Sequence, residues 1–83
     1  MKIFLSTKAA KQLRKLPSRM YALLIAEIKS LNKNPFPTKS KKLVSREGWR
    51  LRVGMYRILY TVDKKKNEVI VLSIAHRKDA YRL

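Results

Sequence analysis

Residues 49–60 read WRLRVGMYRILY, and they carry the most specific structural signal of the chain. Arginines alternate with apolar residues before Gly54, and a β-type sequence that carries Arg57 follows it, which is typical of two β-strands separated by a turn. Arg50 and Arg52 lie two positions apart, so they project from the same face of the first strand. In the second strand, Arg57 alternates with apolar and aromatic residues. The stretch therefore predicts strands that carry guanidinium groups able to bind phosphate.

The N-terminal part of the chain shows helical periodicity instead. Residues 2–5 predict a short strand, and Ser6 or Thr7 is a suitable N-cap for a first helix. We expect this helix to run to about Leu16 and to end at Pro17, because proline lacks the amide hydrogen that a helix interior needs. Its apolar residues lie on one face: Ala9, Leu13 and Leu16.

A second helix is predicted from Ser18, taken as its N-cap, to the NKNP sequence at residues 32–35. Four apolar residues recur along this helix at spacings of three or four: Met20, Leu24, Ile28 and Leu31. The two helices form a hairpin, and their apolar stripes need a sheet to cover.

The rest of the chain supplies that sheet. Residues 42–45 predict a strand before a turn at Glu47 and Gly48. Residues 69–75 are apolar on both faces, as expected of a central strand. Strict alternation along this strand would place His76 on the same face as three apolar residues: Ile70, Leu72 and Ile74.

These elements predict a single domain of the α+β class over residues 1–83. An N-terminal strand and a two-helix hairpin would pack on a small, mainly antiparallel twisted sheet. The helices would cover one face of the sheet and leave the other face open. We expect the arginines on the open face, because charged groups there need not lose their hydration.

The charge of the chain indicates a polyanionic partner. Lys and Arg number 21 against 5 Asp and Glu, which gives a formal net charge of +16. Nucleic acid is the favoured partner. An acidic protein and an anionic membrane surface are the alternatives, because net charge reports attraction and not identity.

Other features of the composition exclude several classes of protein. There is no Cys and a single His, so neither a disulfide framework nor a metal cage is expected, and no cofactor is predicted. The apolar run near the N-terminus is too short for a signal peptide or a membrane-spanning helix. The sequence therefore predicts a soluble cytoplasmic protein that does not associate with a membrane.

Two motifs carry a resemblance to a known family: residues 49–60 and the HRKDAY sequence at residues 76–81. With the order strand, helix, helix, strands, they resemble the RelE/ParE superfamily of toxins from prokaryotic toxin–antitoxin systems over nearly the whole chain. The resemblance implies a RelE-like, microbial ribonuclease-like fold and a hetero-oligomer with an acidic antitoxin. The RelE branch cleaves messenger RNA in the ribosomal decoding site, whereas the ParE branch poisons DNA gyrase. Fold alone therefore does not decide the activity.

The resemblance also implies a set of site residues, namely Arg50, Arg52, Arg57, His76, Arg77 and Tyr81. The arginines would face the scissile phosphate and stabilise the phosphorane, because a guanidinium offers paired donors and keeps its charge. The tyrosine would stack on a base. His76 is the candidate for proton transfer, and a partly buried, hydrogen-bonded histidine is an equally weighted alternative. Three lysines are predicted to contact RNA phosphates, or else to form a solubilising surface: Lys39, Lys41 and Lys42.

The predicted function is that of a ribosome-dependent mRNA endoribonuclease that inhibits translation without a metal ion. The 2′-hydroxyl of the RNA would attack the adjacent phosphorus and leave a 2′,3′-cyclic phosphate and a 5′-hydroxyl end. The presence of Arg57, Arg77 and Tyr81 together favours this activity. Two alternatives stay open: a ParE-like gyrase inhibitor that acts through a protein interface, and a non-catalytic basic module that binds RNA or the ribosome.

Overall fold

The computed structural model describes residues 1–44 and 46–76 of the chain. Within these ranges the elements follow in this order: β1 (Lys2–Leu5), α1 (Thr7–Arg14), α2 (Ser18–Ser30), β2 (Ser40–Lys42), β3 (Trp49–Val53), β4 (Tyr56–Asp63) and β5 (Glu68–His76). The predicted α+β class is confirmed. Neither of the helices in this part of the chain is long and apolar enough to span a membrane.

In the described residues the strands form one five-stranded sheet in the order β1-β5-β4-β3-β2. β1 runs parallel to β5, with Ile3 beside Val69, and the other neighbouring strands are antiparallel. β5 therefore lies inside the sheet, as its two apolar faces predicted. A parallel pair needs a long connection, and both helices and the three other strands lie between β1 and β5 in the chain.

The first helix begins where the sequence predicted. Ser6 is its N-cap, and the Oγ of Ser6 accepts a hydrogen bond of 3.0 Å from the amide of Ala9. α1 ends at Arg14, slightly earlier than expected. The prediction that Ser18 caps the second helix is wrong, because Ser18 is already the first residue of α2. The extended residue Pro17 occupies the cap position without a side-chain hydrogen bond, and its fixed φ suits a helix start.

One hydrophobic core lies between the helices and one face of the sheet. The helical segment contributes Ala9, Leu13, Leu24, Ile28 and Leu31, and the sheet contributes Leu51, Val53, Ile58, Tyr60, Val69, Val71 and Ile74. Removal of these side chains from water is the main favourable contribution to folding. The hydroxyl of Tyr60 donates a hydrogen bond of 2.8 Å to the carbonyl of Pro35 and so ties the loop after α2 to the core. Burial raises the pKa of the Tyr60 phenol, and a hydrogen bond with Ser40 opposes this shift.

The predicted strand at residues 42–45 is wrong in position, because β2 covers Ser40–Lys42. The chain turns immediately after β2, where the amide of Leu43 donates a hydrogen bond of 3.0 Å to the carbonyl of Gly48. Val44 is fully exposed beyond this bond. Alternation of apolar residues in so short a segment does not distinguish a strand from the loop that follows it.

A β-bulge interrupts the pairing of β5 with β4. Leu59 lies opposite Ser73 and Tyr60 lies opposite Val71, so Leu72 is an extra residue on β5. An extra residue shifts the period-two alternation by one position. The two halves of β5 therefore direct opposite sets of side chains into the core.

The bulge changes which residues of β5 share a face. Ile70 lies opposite Thr61 on the open face, whereas Ile74 and His76 follow Val71 onto the face covered by the helices. The prediction that His76 shares a face with Ile70 is therefore wrong. The sequence of β5 is apolar on both faces, so its pattern does not reveal the bulge.

Candidate functional site

The strand register brings four cationic side chains onto the open face of the sheet. Arg50 on β3 lies opposite Lys41 on β2 and Leu59 on β4, and Arg52 lies opposite Arg57. Residues directly opposite each other in an antiparallel ladder share a face. The intervening residues of β3 are buried in the core, so the cations lie on the face that the helices do not cover.

An open pocket of about 570 Å³ lies on this face, and we call it the arginine pocket. It is lined by Lys39, Lys41, Arg50, Arg52, Val53, Gly54 and Arg57. Five of these seven residues are cationic, and none of the seven is acidic. A concave surface with one sign of charge raises the local concentration of counter-ions. The arginine pocket is therefore suited to an anion.

Gly54 forms part of the pocket wall at the turn between β3 and β4. Its φ of +58° lies in the left-handed region, which favours glycine. No heavy atom lies within 4 Å of the place where a Cβ would be, so the missing side chain leaves the wall open. Sequence reasoning used Gly54 only as a break between strands and missed its place in the pocket. The feature of the sequence that could have indicated this place is a glycine between two strands that both carry arginine.

Arg57 is the most deeply placed cation of the arginine pocket, with 9% of the residue exposed. It lies on β4 between Arg52 on β3 and Ala75 on β5. Both neighbouring ladders hold its backbone, and the residue opposite it on β5, Ala75, has only a methyl side chain. A guanidinium fixed in this way keeps its charge and meets an anion without a large rearrangement.

The three predicted lysines lie in two places. Lys39 and Lys41 line the arginine pocket. The Nζ of Lys39 is also 3.1 Å from the Oε1 of Glu27 on α2, a surface ion pair that is weak enough to exchange for another anion. Lys42 lies opposite Trp49 on the other face of β2 and lines a smaller pocket of about 220 Å³. The structure therefore does not bring Lys42 together with the other two lysines.

His76 is half-buried at the end of β5. It lies opposite Tyr56, and the two ring centroids are 5.2 Å apart at an angle of 88°, an edge-to-face contact. Arg57 and Ala75 occupy the next position along each strand. Alternation therefore places His76 on the face opposite to the arginine pocket. This position fits the alternative expectation, that of a partly buried histidine.

Two predicted site residues, Arg77 and Tyr81, lie outside the described residues. Among residues 1–44 and 46–76, no group of three or more His, Cys, Asp or Glu side chains could hold a metal ion. The chemistry that the described site offers is the binding of phosphate and the stabilisation of negative charge by fixed guanidinium groups.

Comparison with known sequences identifies relatives of this chain. The family described as the ParE toxin of type II toxin–antitoxin systems matches residues 3–81. Toxin RelG of Mycobacterium tuberculosis is 34% identical over 80 residues, which cover 93% of this chain and 91% of RelG. The family match extends through both helices and through the strands of the described residues, apart from Lys2 at the start of β1.

Solved structures of similar fold come from bacteria and archaea. A chain of the toxin–antitoxin complex RelBE2 from Mycobacterium tuberculosis is 31% identical with a TM-score of 0.80, over 92% of this chain and 96% of that chain. A chain of the RelE–RelB complex from Pyrococcus horikoshii OT3 has a TM-score of 0.83 over 99% of this chain and 97% of that chain. Its identity of 24% shows likeness of fold alone.

Proposed function

This chain belongs to the RelE/ParE superfamily of toxins from type II toxin–antitoxin systems, and from this membership we propose that it is an endoribonuclease that cleaves messenger RNA on the ribosome. One observation carries the proposal, namely the arginine pocket on the open face of the sheet. A single strand of RNA presents to such a face the phosphates that guanidinium groups bind in pairs.

In the proposed reaction, the 2′-oxygen of a nucleotide forms a bond to the adjacent phosphorus, and the bond from that phosphorus to the 5′-oxygen of the next nucleotide breaks. The products are a 2′,3′-cyclic phosphate and a 5′-hydroxyl. Negative charge develops on the phosphorane oxygens, and Arg57 would donate hydrogen bonds to them. Arg50 and Arg52 would hold the scissile and flanking phosphates in line.

Arg77 and Tyr81 complete the proposed site as the resemblance implies. Arg77 would add a second charged donor for the phosphorane, and Tyr81 would stack on a base and orient it. Lys39 and Lys41 would contact phosphates outside the scissile position, and Lys42 would do so from the other side of β2.

The arginines do not transfer protons in the proposed reaction, because arginine keeps its proton. His76 stays the candidate of this chain for that role, and the role requires its ring to leave Tyr56 and reach the open face. While the ring stays packed beside Tyr56, activation of the 2′-hydroxyl falls to substrate positioning and to groups of the ribosome. This division gives a physical reason for ribosome dependence, since the arginines of the pocket supply charge but no base.

We also propose an acidic antitoxin as the protein partner. The similar chains from Mycobacterium tuberculosis and Pyrococcus horikoshii OT3 were solved in complexes with antitoxins. A net charge of +16 favours a partner of opposite sign. Access to translating ribosomes implies a cytoplasmic location for the toxin and for this complex.

The family match favours a second candidate function, because its description names the ParE toxin. A ParE-like protein would inhibit DNA gyrase through a protein interface. Such a function does not need the phosphate-binding geometry of the arginine pocket, and it predicts no new RNA ends.

One experiment distinguishes the two candidates. The purified protein is added in parallel to ribosomes programmed with messenger RNA, in the presence of a chelator of transition metals, and to gyrase in a supercoiling assay. We expect RNA ends that carry a cyclic phosphate and a 5′-hydroxyl, with gyrase unaffected. Ends that carry a 5′-phosphate would refute attack by the 2′-hydroxyl. Inhibition of gyrase without cleavage would replace the proposal by the second candidate.

A further inference from the structure

The outer edge of β5 changes its partner halfway along the strand. β1 pairs with β5 only as far as Leu5, which lies opposite Val71. The bulge at Leu72 comes next, and the second half of β5 continues past the end of β1. Backbone groups on an uncovered strand edge need hydrogen-bond partners when they are buried.

The segment at the start of α1 supplies these partners. The amide of Ser6 donates a hydrogen bond of 2.9 Å to the carbonyl of Val71, and the Oγ of Ser6 donates one of 2.7 Å to the carbonyl of Leu72. The Oε1 of Gln12 then accepts a hydrogen bond of 2.6 Å from the amide of Ile74. Ser6 and Gln12 thus continue along β5 the edge contacts that β1 begins.

The half of β5 that Gln12 contacts is the half that pairs with Arg57 of the arginine pocket. Ile74 lies opposite Ile58, and the next residue, Ala75, lies opposite Arg57. A register slip of one residue would bring the larger side chain of Ile74 or His76 opposite Arg57 and would reverse the two faces of the strand. The size of the side chain beside Arg57 therefore depends on the register that follows the bulge.

We propose that Gln12 is a positioning residue of the cleavage site, which acts through the amide of Ile74 to keep Ala75 beside Arg57. Gln12 does not contact the RNA in this role. The proposal rests on the proposed ribonuclease function. A glutamine suits the role, because its amide oxygen accepts the hydrogen bond.

Three variants test the proposal. Gln12→Met keeps the length of the side chain but removes the acceptor oxygen, and Gln12→Glu keeps an acceptor oxygen. Lys33→Gln, in an exposed position after α2, changes the net charge by the same amount as Gln12→Glu and controls for it. Single-turnover cleavage is measured over a range of ribosome concentrations, because a positioning residue alters the rate at saturation and not the affinity for the ribosome.

We expect Gln12→Met to lower the saturating rate by roughly 10- to 100-fold, the scale of a small misplacement of a reacting group. The half-saturating ribosome concentration stays unchanged, and Gln12→Glu and Lys33→Gln retain most of the wild-type rate. Hydrogen exchange provides a second measurement. In Gln12→Met, the amides of Ile74 and Ala75 lose protection, whereas the amide of Val69, beside β1, keeps it.

Three outcomes would overturn the proposal. A wild-type rate in Gln12→Met would show that the hydrogen bond does not matter for cleavage. A loss of ribosome affinity, or of protection along all of β5, would show a general structural role instead. Absence of cleavage by the wild-type protein itself would contradict the proposed function and, with it, the role of Gln12. This outcome is distinguished from failure of the Gln12 proposal alone, because every variant is then inactive.

Discussion

Arg52 on β3 and Arg57 on β4 lie directly opposite each other across the antiparallel ladder. Side chains in such a pair approach closely, so two like charges repel and destabilise the sheet. The pair lies in the arginine pocket, where an anion between the two guanidinium groups would replace repulsion by attraction. We therefore expect this pair to lower the stability of the free protein and, under the proposed function, to raise its affinity for phosphate.

This relationship predicts that Arg52→Gln stabilises the free protein. The free energy of unfolding should rise by roughly 0.2 to 1 kcal/mol at low salt, the usual size of a cross-strand contribution. Urea unfolding at low and high salt measures it, and the gain should shrink at high salt because added ions screen the repulsion. Arg46→Gln removes the same charge from an exposed loop position. An equal gain in that control would assign the effect to net charge and not to the pair.

Substitution of Arg57 tests the proposed chemistry. Arg57→Ala should lower the single-turnover cleavage rate by about 100- to 1,000-fold, the scale of losing one donor to a developing oxyanion. Arg57→Lys should give an intermediate rate, because it keeps the charge but loses the paired donors. Lys64→Ala, in the turn after β4, is the matched loss of one cation outside the pocket and should change the rate little. Equal losses in Arg57→Ala and Lys64→Ala would show that the site lies elsewhere.

Salt dependence distinguishes phosphate contacts from a protein interface. If the cationic face neutralises six phosphates, the logarithm of the RNA-binding constant should fall with the logarithm of salt concentration with a slope of about −4. Filter binding of a single-stranded RNA over a salt series measures the slope. Arg50→Gln should make the slope shallower by less than one unit per lost contact, about 0.7. A flat dependence would support a gyrase-type interface.

The proposed antitoxin should stabilise the toxin. A partner that binds only the folded protein and neutralises part of its +16 charge raises the melting temperature, by an amount that grows with partner concentration. A thermal scan of the toxin with and without the acidic protein encoded beside its gene checks this expectation. An acidic protein from an unrelated toxin–antitoxin pair is the control. No shift with the neighbouring protein would argue against a toxin held by that partner.

The buried phenol of Tyr60 predicts a loss of stability at alkaline pH. Burial raises its pKa, so the folded state favours the neutral phenol. This contribution is complete below the ordinary tyrosine pKa of about 10 and is lost as the pH rises through the raised value in the folded protein. Tyr60→Phe lacks the contribution and also lacks the hydrogen bond to Pro35, which costs about 1 kcal/mol.

Urea unfolding of the wild type and of Tyr60→Phe checks this prediction over an alkaline pH series. The wild type should be the more stable protein near neutral pH, and the difference should narrow as the pH rises above about 10. Because the lysines are the same in both proteins, their titration cancels in the comparison. A difference that is constant across the series would contradict the role of the phenol.

The helices and the β3–β4 pair could be predicted from the sequence, because their signals are local. Pro17 separates the two helices, and residues of each apolar stripe, such as Leu13 and Leu24, are buried as the spacing of three and four predicted. Alternation in residues 49–60 correctly placed Arg50 and Arg52 on one face. Each of these predictions depends only on neighbours within one or two elements.

The features that could not be predicted depend on distant partners. β5 contains a bulge at Leu72, and its outer edge is contacted by Gln12, a residue that lies 62 positions from Ile74 in the chain. Alternation alone therefore misplaced His76 relative to Ile70. The pairing of β1 with β5 is of the same kind. Local periodicity contains no information about any of these contacts.

The depth of Arg57 is a further example. Its sequence context resembles that of Arg52, yet Arg57 is buried and Arg52 is exposed. The difference arises because Arg57 has a paired strand residue on both sides, whereas β2 pairs with β3 only as far as Leu51 and does not reach Arg52. Strand pairing, which cannot be read from the sequence, therefore decides which arginine is the more deeply buried.

The position of β5 in the sheet also determines how much of the chain must be translated before the sheet can form. β5 is the last of the described strands to be translated, and it lies inside the sheet. A nascent chain that ends before β5 lacks the partner of β1, and it also lacks Ala75, which lies opposite Arg57. Pairings between segments so distant in sequence form slowly. Under the proposed function, a ribosome that makes this protein would therefore translate past Ala75 before the new chain could assemble the surface that cleaves messenger RNA.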